Sequence, residues 1–271
     1  MLRRIYRRQL TRRARPLPPD QTGRVALLFA PHPDDETLGC GGTILHKTRA
    51  GAAVHVIFMT DGGSSHAHLM PPEQLRPLRR REALAACREL GVPAQNVHFL
   101  GFPDGALASH QPQAVAQVRS LLRELAPRQV FVPYQREHPP DHRAAHRIVL
   151  AALQMEKATL SVYEYPVWFW YHWPWIGLRG RGGYREPRTL LKNTLTAWLG
   201  LRLLKDFNTA VDIGDCIEQK KLALAQHTSQ MTRLLPDPRW LTLADVADGQ
   251  FLACSLQNHE IFHTYRFQGT I

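Results

Sequence analysis

The sequence predicts one α/β domain built on a Rossmann-like, mostly parallel sheet with helices on both faces. Apolar strand patterns alternate with amphipathic helix patterns from residue 24 to about residue 165. Clusters of polar, chemically reactive residues follow two of these strands directly, as expected for a site at a sheet edge. The chain has 271 residues, 44% of them hydrophobic, which is enough for a large globular core. The domain is expected to span residues 24–271.

The individual elements are predicted from apolar runs and from turn residues at their ends. Strands are expected at Val25–Ala30, Val54–Thr60, Val97–Leu100, Gln129–Val132, Leu160–Tyr165 and Ala210–Ile213. Helices are expected at Pro77–Leu90, Val115–Leu125, Asp141–Met155, Leu190–Leu204 and Asp215–His227, and another is expected to begin after a glycine turn at residues 39–42. Asp141 is the expected N-cap of its helix.

The basic segment at residues 1–23 is expected to be a flexible extension of the domain. Residues 1–19 contain seven arginines and no acidic residue, whereas the remainder carries 27 basic and 23 acidic side chains. The net charge of +11 is therefore largely local, and no nucleic-acid-binding motif accompanies it. The segment lacks the apolar core of a signal peptide. A soluble tail and attraction to anionic lipid at the inner membrane face are both open interpretations.

The cysteines and the apolar runs predict a cytoplasmic protein. The four cysteines are widely spaced and form no CxxC pair, so reduced thiols are expected. No apolar run is long enough to cross a bilayer. Peripheral contact with the inner face of the membrane stays compatible with this pattern, and the sequence indicates no particular oligomeric state.

An aromatic-rich insertion or lid is predicted over about residues 166–206. Tryptophan and tyrosine are dense at residues 163–175, and a glycine- and arginine-rich stretch follows at 179–183. The aromatic side chains either close a local core or form a platform for a sugar or a membrane. The helix expected at Leu190–Leu204 either packs on the core of the protein or contacts lipid.

The most informative motif is His32–Glu36, with the sequence HPDDE, which directly follows the first predicted strand. In an open α/β sheet, ligands bind at the carboxyl ends of the strands. A capped turn would explain one carboxylate but not an imidazole beside three consecutive acids. The motif therefore predicts a divalent metal site with a neighbouring base.

A second cluster, Glu137–His146, follows the strand expected at Gln129–Val132. It lies at the same sheet edge and can therefore face the first cluster. Two imidazole–carboxylate loops suit zinc or another divalent first-row metal with three protein ligands and an open position. His142 and His146, four residues apart, are an alternative helical ligand pair, although single histidines on helices are usually not ligands.

These motifs resemble the PIG-L/LmbE-like metal-dependent deacetylases, which remove acetyl groups from N-acetylglucosamine-type sugars. The resemblance rests on Pro31–Glu36 followed by Gly39–Gly42, with Asp141–Arg143 downstream. Supporting motifs in the family's order are Arg79–Glu82, Leu90–Val92, Phe99–Gly105 and His227–Gln230. The similarity covers roughly residues 24–165 and the helix near His227.

The resemblance implies a role for each matching residue. The implied ligands of zinc, or of another divalent first-row metal, are His32, Asp35 and His142. Asp34 matches the general base, which takes a proton from water as the water attacks the acetyl carbonyl. Arg79 and Asp104 match positions that contact substrate. The implied partner is an N-acetylated sugar, and the aromatic segment and basic tail favour a glycolipid or glycan precursor.

The second motif departs from the family at one position. Relatives often carry a catalytic histidine three residues before the ligand histidine, where this chain has Pro139. His138 lies one residue earlier. Either the loop bulges and delivers His138 as a catalytic residue, or another group stabilises the oxyanion.

Two other function classes are weighed against deacetylation. A metal-dependent glycosyltransferase could use Asp34 and Asp35 to hold a nucleotide-sugar, but His32 and His142 would then be unexplained. A non-catalytic glycan- or membrane-binding protein could use the aromatic segment alone. An intact Asp34 argues against this, because binding alone needs no base.

Overall fold

The centre of the molecule is an eight-stranded sheet. The computed structural model describes residues 2–177 and 186–269. The strands are β1 Arg15–Pro16, β2 Ala26–Ala30, β3 Val54–Thr60, β4 Val97–Phe102, β5 Gln129–Pro133, β6 Thr159–Tyr165, β7 Thr209–Asp212 and β8 His259–Gln268. Their order is β1-β7-β8-β6-β5-β2-β3-β4. β8 pairs antiparallel with β6 and β7, and the other pairs in the described ranges are parallel.

Helices cover both faces of this sheet. They are α1 Leu2–Arg13, α2 Pro19–Thr22, α3 Asp35–Arg49, α4 Pro72–Glu89, α5 Gln111–Leu125, α6 Pro140–Met155, α7 Pro187–Thr196, α8 Arg202–Asp206, α9 Ile217–Ala225, α10 Thr228–Met231 and α11 Gln250–Ser255. One apolar core joins α5 and α6 to the sheet, and a second joins α3, α4 and α9 to its other side. The predicted fold class is confirmed. Parallel strands that are buried on both faces need helices on both sides of the sheet.

The glycines after the first motif lie within a helix, so the predicted glycine turn is wrong. Helix α3 begins at Asp35 and continues through residues 39–42. A Cβ atom on Gly39 would lie 2.3 Å from the Tyr165 ring, and one on Gly42 would lie 2.4 Å from Ile213. The glycines therefore let α3 approach the sheet closely, and this position of α3 sets the first motif against its neighbours.

Within the segment expected to be a flexible extension, residues 1–23, the structure describes α1, β1 and α2. Helix α1 packs on the domain through the buried Leu10, and β1 joins the sheet beside β7. Arg3 donates a hydrogen bond to Gln250 at 2.7 Å, and the Arg7 guanidinium lies 5.3 Å from the centre of the Trp175 ring. The helix spaces its arginines around a narrow apolar face, which the arginine-rich composition alone does not reveal.

The aromatic segment mainly closes a core. Its buried members, Phe169, Trp170 and Trp175, pack with residues of α1 and α8. Trp168 is the exception, since it lines the cleft described below and its ring stacks on Phe251 at 4.5 Å. The chain continues into α7 and α8 in place of the single helix expected at Leu190–Leu204. Residues 178–185 of the predicted insertion, including the stretch at 179–183, lie outside the described residues.

All four cysteines are buried and free. Across residues 2–177 and 186–269, no helix combines the length and the apolarity needed to cross a membrane.

Candidate active site

The site lies where β2 and β5 end side by side. From these neighbouring strands the chain continues in opposite directions, to β3 on one side and to β6 on the other. Such a switch point leaves a crevice at the carboxyl ends of the strands. Residues 31–34 lead from β2 into α3, and residues 134–139 lead from β5 into α6. The two predicted clusters therefore face each other.

His32, Asp35 and His142 converge on one point. The Nδ1 atom of His32 and the Nε2 atom of His142 each lie 3.3 Å from Oδ2 of Asp35. Donor atoms of the three residues lie within 4.8 Å of one another, a spacing that one ion can bridge. Both ring nitrogens of His142 are buried and make no hydrogen bond of good geometry within the described structure.

Glu137 contacts the ring nitrogen of His142 that does not face Asp35, and the sequence predicted no role for it. Its Oε2 atom lies 3.2 Å from Nδ1 of His142. The carboxylate also accepts hydrogen bonds of 2.7–3.0 Å from three consecutive backbone amides, those of Val167, Trp168 and Phe169. A carboxylate behind a ligand histidine fixes the tautomer and orientation of the ring. The available signal was an acid directly ahead of the histidine motif, at the end of a strand.

Two further carboxylates contact the second ring nitrogen of His32. Its Nε2 atom lies 3.1 Å from Asp104 and 3.5 Å from Asp141. Asp141 accepts backbone hydrogen bonds from Gly105 at 2.7 Å and Leu107 at 3.1 Å, so it fixes a neighbouring loop and does not cap its own helix. Asp104, predicted to contact substrate, lies in the cleft but also against a predicted ligand. His32, Asp104 and Asp141 form a second group able to hold an ion.

Asp34 lies beside the convergent residues but is not among them. Its backbone φ is 125°, a conformation that costs energy for any residue other than glycine. The Asp34 amide donates to Glu36 at 2.9 Å, and a guanidinium nitrogen of Arg79 lies 3.3 Å from Oδ2 of Asp34. Arg79 is buried and also donates to the carbonyls of Pro33 and Gly62. Arg79, predicted to contact substrate, thus lines the cleft and also fixes Asp34.

The supporting motifs from the sequence meet behind Asp34. Glu36 is fully buried and lies 2.7 Å from Nε2 of His227, at the start of α10. Ser229 binds Glu82 of α4 through both its amide and its hydroxyl, at 2.7 Å each. The motifs at residues 79–82 and 227–230 therefore form the support of the Asp34 loop.

Adjacent aspartates have opposite electrostatic environments. Burial raises the pKa of Asp34 to about 7, against the opposing effect of the Arg79 cation. Burial would also raise the pKa of Asp35, but the charges and hydrogen bonds of His142 and His32 hold it well below its usual range. Although burial opposes it, Asp35 and Glu137 raise the pKa of His142 to about 9. The carboxylates thus favour a positive charge at this point.

These residues open into a cleft of about 300 Å³. Its lining includes His32, Asp34, Asp35, Ser64, Ser65, Arg79, Asp104, Pro139, Trp168 and Gln230. His138 lines a separate cavity on the other side of residues 137–139. The structure therefore does not bring His138 to the other predicted site residues, because the loop presents Pro139 to the cleft.

Comparison with known proteins shows the family to which the chain belongs. A family model described as "PIG-L: GlcNAc-PI de-N-acetylase" matches residues 27–153. A 1D-myo-inositol 2-acetamido-2-deoxy-alpha-D-glucopyranoside deacetylase from Mycobacterium sp. (strain KMS) is 30% identical over 252 residues, covering 80% of this chain and 77% of the relative.

Solved structures share the fold. The N,N'-diacetylchitobiose deacetylase from Pyrococcus horikoshii has a TM-score of 0.59 and 22% identity, over 91% of this chain and 84% of its own. A triple mutant of a deacetylase from the teicoplanin biosynthetic pathway has a TM-score of 0.61 and 18% identity, over 91% of this chain and 100% of its own.

Proposed function

Because the chain belongs to the PIG-L family of de-N-acetylases, which are hydrolases of amide bonds, we propose that it removes the acetyl group from an N-acetylated amino sugar. The observation that carries the proposal is the placement of Asp34. This carboxylate faces the cleft directly beside His32, Asp35 and His142, yet it is held apart from them by Arg79. Metal-assisted amide hydrolysis uses separate groups to hold the ion and to move a proton.

The convergent residues fit a divalent ion such as zinc. Two imidazole nitrogens and one carboxylate oxygen form a donor set typical of hydrolytic sites that keep one position open. Among the described residues the ring nitrogens of His142 make no hydrogen bond of good geometry, although Asp35 and Glu137 lie close to them. Both features suit a ligand histidine. When bound, the ion lowers the pKa of water and polarises a carbonyl group.

Asp34 is proposed as the general base. It accepts a proton from water as the water oxygen attacks the acetyl carbon, and it returns that proton to the nitrogen as the C–N bond breaks. Acetate and a free amine result. Arg79 and Glu36 fix Asp34 for this task, and the backbone strain at Asp34 is compatible with a residue held in place for function.

Oxyanion stabilisation is proposed to proceed without His138. Pro139 occupies the part of the cleft where a catalytic histidine would be expected. The chain offers the Ser65 hydroxyl and the Gln230 amide in the cleft, and these two groups lie 3.4 Å from each other. They are the proposed donors to the substrate or to its developing oxyanion.

The proposed substrate is a 2-acetamido sugar, as in the name of the mycobacterial relative. Trp168 presents an aromatic surface to the cleft, and such surfaces suit the apolar face of a sugar ring. A glycolipid or glycan precursor is proposed because an amphipathic surface lies on the same molecule.

That surface has two adjoining parts. The apolar patch consists of Leu191, Leu195, Trp198, Leu199 and Leu201, which are between 44% and 61% exposed. The arginine stripe consists of Arg4, Arg8 and Arg12, exposed at four-residue intervals on α1. The Tyr6 hydroxyl donates to the Leu199 carbonyl at 3.2 Å and so joins the two parts. Charge and apolar insertion are the two signals that peripheral attachment needs, and we propose contact with the anionic inner face of the membrane.

The membrane proposal is tested by co-sedimentation with phosphatidylcholine vesicles with and without phosphatidylserine. The triple variant Arg4→Gln/Arg8→Gln/Arg12→Gln should lose binding to the anionic vesicles, most clearly at low salt. The triple variant Arg81→Gln/Arg88→Gln/Arg147→Gln removes the same charge from exposed helical positions elsewhere. Equal loss in both variants, or no binding by the native chain, would refute a specific membrane face.

The catalytic proposal is tested by acetate release. Purified protein is incubated with a panel of N-acetylated amino sugars, free, inositol-linked and lipid-linked, and acetate and free amine are quantified together. Deacetylation predicts equal amounts of the two products from at least one substrate. Release of amine without acetate, or no product across the panel, would contradict it.

A further inference from the structure

A second cavity, of about 720 Å³, lies behind the loop at residues 137–139 and is lined by basic side chains. It shares no lining residue with the cleft. Its cationic members are Arg136, Arg143, Lys192 and Arg202. Residues after β5, in α6, in α7 and in α8 therefore place four positive charges around one concave space, and we call this space the basic cavity.

Most of these cations lack a carboxylate partner. Within residues 2–177 and 186–269, Arg136, Arg143 and Lys192 form no ion pair with an acidic side chain. Arg143 donates instead to the backbone carbonyls of Glu137 and His138. A cluster of unneutralised cations repels itself, so an anion bound among them would lower the free energy of the folded chain.

The nearby acids are already engaged. Glu137 lines the basic cavity, but its carboxylate is fully buried and bonded to three backbone amides. Asp206 accepts a hydrogen bond from the Tyr134 hydroxyl and lies 3.6 Å from Arg202. Glu186 accepts a hydrogen bond from the Thr189 hydroxyl at 2.7 Å. Hydrogen bonding does not remove the charge of these carboxylates, so Asp206 offsets the charge of Arg202. Glu137 and Glu186 are bonded to other groups and form no ion pair with Arg136, Arg143 or Lys192 within the described residues.

Neutral residues complete the lining. Thr189 and Thr196 belong to it, and their hydroxyls already donate to Glu186 at 2.7 Å and to the Asn193 carbonyl at 3.0 Å. His138 also lines it, and its Nε2 atom is buried without a hydrogen-bond partner among the described residues. At the rim lies Trp198 of the apolar patch, with the Arg202 guanidinium 4.1 Å from the centre of its ring.

We propose that the basic cavity binds a phosphate group, as a monoester or diester, at a site separate from the deacetylation chemistry. Several arginines around one concave space suit the multiple oxygens of phosphate better than a single carboxylate. The volume is within the usual range for small-molecule sites. The phosphate belongs either to a lipid headgroup, which the adjoining apolar patch would receive, or to a soluble molecule.

The test measures binding of glycerol 3-phosphate to the full-length, metal-loaded protein by titration calorimetry. One saturable site is expected. Arg136→Gln and Lys192→Gln should each weaken it about tenfold, because each removes a charge-assisted hydrogen bond. Arg188→Gln is the matched control, since Arg188 is exposed on α7 but does not line the basic cavity. Absence of saturable binding, or equal weakening in the control, would overturn the proposal.

Competition distinguishes the two sources of phosphate. If the cavity receives a lipid headgroup, phosphatidylcholine vesicles containing phosphatidate should displace glycerol 3-phosphate. If glycerol 3-phosphate stays bound in the presence of these vesicles, the site binds soluble phosphates. Acetate release by Arg136→Gln from a sugar without phosphate should equal that of the native chain. The phosphate site and the deacetylase activity can therefore fail independently.

Discussion

The cleft and the basic cavity lie on opposite sides of the same three residues, 137–139, and have opposite charge. The cleft is lined by three aspartates with one buried arginine, whereas the cavity is lined by four cations whose acidic neighbours are engaged. Glu137 contacts His142 on the metal side, and His138 lines the cavity. Neighbouring residues of one motif therefore face two spaces of opposite charge, so proximity in sequence does not assign a residue to the reaction.

Removal of a ligand should have the largest effect on the cleft side. His142→Ala should reduce bound metal from about one ion per chain to near none and abolish acetate release, because the remaining donors no longer enclose an ion. His146→Ala, one turn further along α6, is the control, since His146 instead contacts Glu164 at 2.9 Å. Metal analysis of both purified variants checks this. Full occupancy in His142→Ala would remove His142 from the ligand set.

Loss of the proposed base should come next. Asp34→Asn should keep its metal and lower kcat by about 10²–10⁴-fold, the range typical of general acid–base catalysis. Steady-state kinetics with metal content measured on the same sample checks this. Turnover close to that of the native chain would mean that another group accepts the proton.

Loss of the support behind His142 should have an intermediate effect. Glu137→Gln keeps the shape but removes the charge facing Nδ1, so metal affinity should fall roughly 10–100-fold. Competition with a chelator measures the affinity, and the thermal midpoint reports whether the fold survives. If metal affinity is unchanged in a folded variant, the only role of Glu137 is to accept hydrogen bonds from the backbone amides.

The smallest effect on the reaction is expected at His138. His138→Ala should change kcat by less than about tenfold, below the usual contribution of a catalytic acid or base, because the side chain faces the basic cavity. The same variant should weaken glycerol 3-phosphate binding. A large fall in kcat with unchanged KM would instead show that His138 stabilises the transition state.

Much of the fold was predictable because its signals are local. Strands β2, β3, β5 and β6 are short apolar runs, and each is followed by residues typical of a turn or a helix start. Their parallel order places His32–Glu36 and the His142 motif at one edge, which the sequence also predicted. The convergence of His32, Asp35 and His142 then follows from the ends of β2 and β5.

Other features depend on residues that are distant in the sequence. Helix α1 contacts Trp175 and Gln250, more than 160 residues away. The predicted glycine turn is wrong, because glycine at these positions instead lets α3 lie close to Tyr165 and Ile213. The role of Glu137 depends on backbone amides of the following aromatic segment. The sequence around each of these positions carries no sign of its distant partner.

A zinc titration tests the claim that a single ion held by His32, Asp35 and His142 supports hydrolysis. His32 also belongs to a second group with Asp104 and Asp141, so the number of ions is informative. Metal-free protein is titrated with zinc while acetate release is followed. Activity should rise from near zero and saturate at one equivalent per chain. Activity without added metal, or a rise that continues to two equivalents, would contradict the claim.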